Sequence, residues 1–543
     1  MAKVAFVSIM WHSRFVEELG VEYLTAVLRK ETNHEVRIFY KFPEDNYNDF
    51  FQQVIGFNPD IVGISLSHKY TGLEPLYAGA SLLKEKLPEV YLCIGGIFAS
   101  TNAENIMRKI QEVDCVFLGE SENIIVDFVD KVINHQSIDA LDGVVYRCEN
   151  GTLKTIPKKN FIMDLDAIPF PARDYMEEDW FKMVNLMGSR GCHGHCHFCN
   201  VPSMYAVYGT EHCWRGRSIA NIVDEMEYLY KEHGVLIFSF NDSSFEDAMP
   251  LTEGKKRLAT FANEILKRGL RILWTCCFRA ETFKNNKEDI ELIELMVKSG
   301  LYNLLIGVEA GNKRALNNFS KRATISDNYQ SIEIFDRYPV YISKGFIMFT
   351  PQSTPSLLRD NLEFAHKIGL DQELIYLTTK AAVFDQTPYV TDLQNEGYLT
   401  QDYDWENEYP YTWKDDNVRQ FAEALQFIRD VYMDELEYTQ YYGRNAIIWY
   451  RFAEGRYRKE LEYNQYHVNR LRKEIGIYNY AFISASIDLC ERGWNIHEYR
   501  IIKSKYFDHG FLKVYDEMVL QSKKISRLFR MNNITMEDIA NNH

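Results

Sequence analysis

Along the first 150 residues, compact apolar runs alternate with stretches in which apolar side chains recur every three or four positions. Val4-Ala-Phe-Val-Ser-Ile9 has the first pattern, and Leu19, Tyr23, Val27 and Leu28 then fall on one helical face. The strand signal returns at 35–40, 60–65, 90–94 and 115–118, with helices predicted over 73–87 and 122–133. Strands apolar on both faces, separated by amphipathic helices, predict a Rossmann-like, doubly wound parallel sheet. Ligands bind such sheets at the carboxyl ends of the strands. The loops there hold Trp11 and His12, then Ser65, Ser67 and His68, then Gly95 and Gly96, then Gly119 and Glu120. The Gly95–Gly96 pair has no β-carbons, so a large flat ligand or its phosphate tail can lie against the backbone. No G-x-G-x-x-G follows the first strand, which argues against a dinucleotide.

Two prolines, Pro169 and Pro171, interrupt regular structure in Phe161-Ile-Met-Asp-Leu-Asp-Ala-Ile-Pro-Phe-Pro-Ala-Arg-Asp-Tyr175 and mark a linker. A second strand–helix series follows, with strands predicted at 183–187, 235–240, 272–277, 304–309, 345–349 and 374–377. Ser218 is a predicted N-cap for the helix that runs to Lys231. Beyond about residue 400 comes an acidic, aromatic loop (402–413), then long helices near 416–440, 443–476, 477–492 and 510–529. The predicted organisation is a Rossmann-like domain at 1–150, a linker at 151–180, a second α/β domain at 181–398 and a helical domain at 399–543. The tyrosines of the last region recur at helical spacing and read mainly as packing residues.

The chemistry concentrates at the end of the 183–187 strand, in Gly188-Ser-Arg-Gly-Cys-His-Gly-His-Cys-His-Phe-Cys199. Cys192, Cys196 and Cys199 place three thiolates on one short loop, one short of the usual four for an iron–sulfur cube or a structural zinc site. A cube held by three cysteines leaves one iron open to a substrate or cofactor. The alternative is a Cys3His zinc knuckle completed by His193, His195 or His197. Cys213, Cys276 and Cys277 lack the spacing of a second cluster and read as small apolar residues.

This loop resembles that of radical S-adenosylmethionine (SAM) enzymes. The resemblance implies a [4Fe–4S] cluster on the three cysteines whose unique iron chelates SAM, and a partial (β/α)6 barrel at 181–398. It further implies that Asp242 or Ser243 meets the SAM amino group, Arg279 its carboxylate and Glu309 its ribose hydroxyls. The family's G-x-P-G-E-T is replaced here by Phe349-Thr-Pro-Gln-Ser-Thr354, which leaves the adenosine contact open. Leu19-Gly-Val-Glu-Tyr-Leu24, Val62-Gly-Ile-Ser65, Gly95-Gly-Ile-Phe-Ala-Ser100, Gly119-Glu-Ser-Glu122 and the Ile-Pro-Phe-Pro linker resemble the cobalamin-binding domain that precedes many such barrels. Cobalamin is therefore expected at Trp11, His12, Ser65, Ser67, His68, Gly95, Gly96, Gly119 and Glu120. The D-x-H-x-x-G of cobalamin-dependent mutases is missing, so a histidine lower ligand is not expected. The implied activity is methylation of an unactivated carbon, or of phosphorus, in a small biosynthetic intermediate. The alternatives are a radical cyclisation, ring contraction or other rearrangement, and a non-enzymatic zinc protein.

Composition narrows the partners. Sixty-one basic against 77 acidic residues give a net charge of −16, which disfavours nucleic acid and anionic membranes. No secretory, transmembrane or lipidation signal is readable. Ten cysteines in 543 residues do not make a disulfide scaffold. The expected setting is the cytoplasm, with a small-molecule substrate, a flavodoxin- or ferredoxin-like electron donor, and neither nucleic acid nor membrane as partner.

Overall fold

A computed structural model describes residues 1–9, 18–67, 69–148, 150–178, 183–202, 214–246, 249–399, 404–406, 409–452 and 457–531. Trp11, His12, His68 and Cys213 lie outside the described residues. The chain packs as two units, Met1–His193 with Asn200–Ser243 and Tyr403–Tyr409, and Gly194–Cys199 with Ser244–Asp402 and Pro410–His543.

The first unit is built on a seven-stranded sheet of order β2-β1-β3-β4-β5-β6-β7. Its strands are β1 (Lys3–Ile9), β2 (Glu35–Lys41), β3 (Ile61–Ser65), β4 (Tyr91–Gly95), β5 (Cys115–Phe117), β6 (Val144–Arg147) and β7 (Leu153–Ile156). The first five run parallel, as the apolar runs predict. The last two form an antiparallel hairpin on the β5 edge, so the sheet is mixed and reaches past residue 150. Charged side chains such as Arg147 and Lys154 on these outer strands are compatible with an edge, where one face meets water.

Apolar clusters fill both faces of the sheet. Val62, Ile64, Leu92 and Ile94 pack with the helices Tyr47–Phe57 and Lys69–Lys86 on one side. Val4, Phe6, Cys93 and Cys115 pack with Leu19–Glu31 and Ile125–Ile133 on the other. The aromatic segment near 405 belongs to this unit and not with the C-terminal helices. Trp405 is buried in the first cluster, its ring stacked on Phe98 at 6.2 Å. Glu406 accepts from the Tyr77 hydroxyl and pairs with Lys109 at 3.2 Å.

The same unit holds the start of the second α/β series. Strand β8 (Met183–Leu186) leads into a two-residue ribbon, β9 (Ser189–Arg190) against β10 (Arg215–Gly216). Ser218 caps the helix Ile219–His233 by accepting from the Asn221 amide, as predicted, and β11 (Ile237–Phe240) pairs parallel with β8.

In the second unit β12 (Leu273–Arg279), β13 (Leu301–Glu309) and β14 (Tyr341–Phe346) run parallel. The fifth strand thus begins at Tyr341, before the predicted 345. Residues Leu374–Leu377, predicted as a sixth strand, form a short helix, and the parallel bridge Phe349–Lys380 is the remnant of pairing there. A four-residue apolar run has no periodicity to separate the two outcomes. The C-terminal helices are Asp416–Val431, Met433–Phe452, Arg458–Arg492, Ile496–Lys503 and Leu512–Met531. Among the described residues no helix is long and apolar enough to cross a membrane.

Candidate functional site

The ends of three parallel strands build the polar centre of the second unit. Strand β13 has a register shift between Gly307 and Glu309, and Glu309 takes the left-handed conformation at φ 60°. A non-glycine residue there is uncommon and is retained where surrounding contacts over-determine it. The Ile347 amide donates to the Glu309 carbonyl at 2.8 Å, and the Glu309 carboxylate accepts from Lys321 Nζ at 3.0 Å. Gly307 and Gly345 face each other in the ladder and form a bare floor beneath that carboxylate. A β-carbon on Gly307 would stand 2.4 Å from Glu309 Oε1, so a larger residue there would displace the carboxylate.

Arg279, at the end of β12, stands between two carboxylates, with Nε 3.8 Å from Glu246 and 3.6 Å from Glu281. Glu246 is fully buried and also accepts from the Arg279 amide, the Thr282 hydroxyl and the Ser244 hydroxyl. It ties the end of β12 to the segment that follows β11 in sequence. Asn361 performs the same office for the Glu309-Ala-Gly-Asn312 turn. Its side chain accepts from Gly311 and Asn312 and donates to the Met348 carbonyl.

Cys196 and Cys199 belong to this unit, and the Cys199 amide donates to the Cys196 carbonyl at 3.1 Å. Burial pushes the Cys196 thiol up, against the pull of Lys321 and Arg279. A cationic cluster would remove that proton, since the thiolate is the ligand form. His197 between them is committed elsewhere. Its Nδ1 lies 2.6 Å from Asp392, its amide donates to the Phe319 carbonyl, and its carbonyl accepts from the Tyr389 amide. Phe198 packs edge-on against Phe319. All three cysteines are partly exposed and none is in a disulfide, as cluster ligands need. Three cysteine sulfurs are the donor chemistry of a cluster with one open iron, although among the described residues no three such side chains are placed to hold a metal ion. The bond between His197 Nδ1 and Asp392 is also how zinc-ligating histidines are oriented.

In the first unit Asp242 is buried at the end of β11, and both its oxygens are used locally. It accepts from the Gly188 amide at 2.8 Å and the Ser189 hydroxyl at 2.5 Å. Ser243 beside it is exposed. Ser65 and Ser67, at the end of β3, both donate to Glu18 at 2.8 Å. Gly96 has φ 105°, and a β-carbon there would meet the Leu66 carbonyl oxygen at 2.6 Å. At Gly95 a β-carbon would make only an ordinary contact, with Phe117 at 3.9 Å. Ser100 organises this edge by donating to the Gly96 carbonyl and accepting from the Gly119 amide. A glycine beside two serine hydroxyls fits a large planar ligand laid against the strand ends. Glu120 is occupied differently, gripping Arg215 with both oxygens and lying 3.3 Å from Arg190.

Sequence reasoning missed Glu246, Lys321, Asp392 and the arginines of the ribbon. Glu246 lies three residues beyond the polar pair Asp242–Ser243 and was within reach of a strand-end argument. Lys321 and Asp392 sit in segments with no spacing signal toward the cysteines.

Comparisons with known proteins agree with this layout. Residues 14–129 match the family B12 binding domain, and residues 186–365 match the radical SAM superfamily. An uncharacterized methyltransferase of Pyrococcus horikoshii is 27% identical, over 66% of this chain and 75% of its own length. The anaerobic magnesium-protoporphyrin IX monomethyl ester cyclase of Rubrivivax gelatinosus is 24% identical, over 74% of this chain and 72% of its own. The solved structure of the cobalamin-dependent SAM radical enzyme OxsB, with aqua-cobalamin and SAM bound, covers 98% of this chain and 80% of its own. It superimposes with a TM-score of 0.71 at 18% identity, a likeness of fold. With the cysteine loop and strand ends described above, these matches define the class: this is a radical SAM enzyme. More narrowly, it is a radical SAM enzyme with a cobalamin-binding domain, related to methyltransferases.

Proposed function

We propose that this enzyme methylates an unactivated carbon, or phosphorus, of a small biosynthetic intermediate. The observation that carries the reading is the union in one chain of a B12-binding module (14–129) and a radical SAM module (186–365), in a protein similar to a methyltransferase. When bound, the [4Fe–4S] cluster supplies reductive cleavage of SAM, and cobalamin supplies a methyl carrier.

The protein's own residues hold and orient these groups. Cys192, Cys196 and Cys199 hold the cluster. Glu309, presented off the β13 bulge over two glycines, accepts the ribose hydroxyls of SAM, and Lys321 holds its carboxylate in position. Arg279 meets the SAM carboxylate. Ser243 offers its hydroxyl to the ammonium, while Asp242 keeps the strand end in place. Ser65, Ser67, Gly95, Gly96 and Gly119 form the corrinoid edge. A flavodoxin- or ferredoxin-like donor in the cytoplasm supplies the electron.

A second reading, radical cyclisation without methyl transfer, is favoured by the similarity to the cyclase. One experiment separates the two. Protein purified anaerobically from cobalamin-supplied cells is assayed for iron, sulfide, corrinoid and SAM-derived products. Methyl transfer gives bound corrinoid, with S-adenosylhomocysteine and 5'-deoxyadenosine formed together on turnover. Deoxyadenosine alone, in protein without corrinoid, overturns methyl transfer.

A further inference from the structure

The Gly119-Glu-Ser-Glu122 turn lies at the ligand edge of the B12-binding module, yet its two carboxylates are spent on arginines from the other module. Arg190 and Arg215 are directly opposed in the β9–β10 ribbon. Like charges directly opposite on a ribbon repel, and this ribbon is only two residues long on each side. Glu120 lies between them. It takes Arg215 with both oxygens, one at 2.8 Å, and Arg190 at 3.3 Å. Glu122 takes the far side of Arg190 at 2.5 Å. All four side chains are at least 89% buried, since the most exposed, Glu120, shows 11%. Further contacts fix the arginines: Arg190 lies over the Tyr23 ring and donates to Met187 Sδ at 3.0 Å, and Arg215 lies over Phe161 while donating to the Ile162 carbonyl at 2.6 Å.

A second ion group holds the same ribbon from behind. Glu225, fully buried on the helix Ile219–His233, receives Arg217 at 2.6 Å and the linker's Arg173 at 2.9 Å. Asp242 secures Gly188 and Ser189, as described. The chain leaves the ribbon at Gly191, passes through Cys192, Cys196 and Cys199, and returns at Arg215. Thus the neck of the cysteine loop is a ribbon whose facing cations are paired with carboxylates of the B12-binding module.

We propose that Glu120 and Glu122 are positioning residues that hold the neck of the cysteine loop through Arg190 and Arg215, so that the B12-binding module sets the seat of the cluster. The inference deepens the proposed function and rests on it for the cluster. Its mechanical part stands on the ion cage alone. It also reassigns Glu120 away from direct corrinoid contact.

The test compares wild type with Glu120→Gln and Glu120→Asp on the full-length chain, as apoprotein and after cluster reconstitution. Amide hydrogen exchange over 188–192 is measured first, on the apoprotein. E120Q should exchange there faster by about tenfold or more, because breaking a buried pair opens the ribbon locally. E120D, which keeps the charge with a shorter reach, should lie between the two. Reconstituted E120Q should keep its iron, sulfide and corrinoid content but change the electron paramagnetic resonance signature of the reduced cluster with SAM. Should E120Q not accumulate folded, Arg190→Lys carries the same two readouts. Unchanged exchange and an unchanged cluster signature overturn the proposal. So does selective loss of corrinoid with exchange unaltered, since Glu120 would then be a cofactor ligand. If wild type itself takes up no iron or corrinoid, the proposed function fails while the exchange result still decides whether the cage holds the ribbon.

Discussion

Lys321 Nζ stands 3.0 Å from Glu309 Oε1, and the pair is nearly sealed from water at the end of strand β13. Glu309 pushes the lysine's pKa up even though burial alone would lower it. The ion pair holds the carboxylate in place over the Gly307–Gly345 floor.

Changing Glu309 to Gln removes a charge from both SAM and Lys321, and the two effects separate in a double variant. E309Q should weaken SAM binding by about 1–3 kcal/mol, the range for hydrogen bonds to a charged group. It should also lower stability by about 3 kcal/mol, because Lys321 is left buried and unpaired. Adding Lys321→Met should restore much of the stability and none of the SAM affinity. Chemical denaturation and a SAM titration of the three proteins check this, and recovery of affinity in the double variant would count against a direct contact.

Loss of any one of Cys192, Cys196 or Cys199 to Ala should abolish the iron–sulfur absorbance and reductive SAM cleavage. His197→Ala should retain both, at a stability cost of about 1–3 kcal/mol for the lost Asp392 bond. Iron, sulfide and zinc analysis of the four variants decides it. Zinc at one equivalent in wild type, lost in H197A, would install the knuckle instead.

Trp405 belongs to the core of the first unit although it lies more than 270 residues beyond the B12-binding family match. Trp405→Ala should cost about 3–5 kcal/mol in denaturant unfolding, the usual price of a large aromatic deleted from a core. A loss below 1 kcal/mol would show that the stacking on Phe98 contributes little in solution.

Glu120 carries a pH signature. Burial raises its pKa, but the hydrogen bond from Arg215 and the charge of Arg190 outweigh it and leave the group below the ordinary glutamate value of 4.5. A depressed folded-state pKa contributes stability above the unfolded value and loses it as pH falls through the folded one. The stability gap between wild-type apoprotein and E120Q should therefore be full at pH 7 and shrink below about pH 4.5. Thermal denaturation across that range measures it, and a gap that widens on acidification would contradict the assignment.

Much of the fold was legible because its signals are local. Apolar runs such as Val62-Gly-Ile-Ser65 give buried strands wherever they pair, and Ser218 caps its helix through a bond spanning three residues. The short helix Leu374–Leu377 and the late start of the Trp405 packing were not legible. Four apolar residues carry no period, and an aromatic residue in an acidic loop does not state which domain it joins.

By itself the sequence determined the class of chemistry. Three cysteines at C-x3-C-x2-C put three thiol ligands on one short loop, a donor set for an iron–sulfur cluster. It also determined that Gly95, Gly96, Gly307 and Gly345 would be bare backbone. Tertiary structure alone decided which charges meet. That Glu120 faces Arg190 and Arg215, that Lys321 seats Glu309, and that Asp392 takes His197 are contacts across 12 to 195 residues of chain. A charged side chain carries no record of its distant partner in its own neighbourhood. Only burial, which makes an unpaired charge prohibitively costly, selects the partner once the elements have packed.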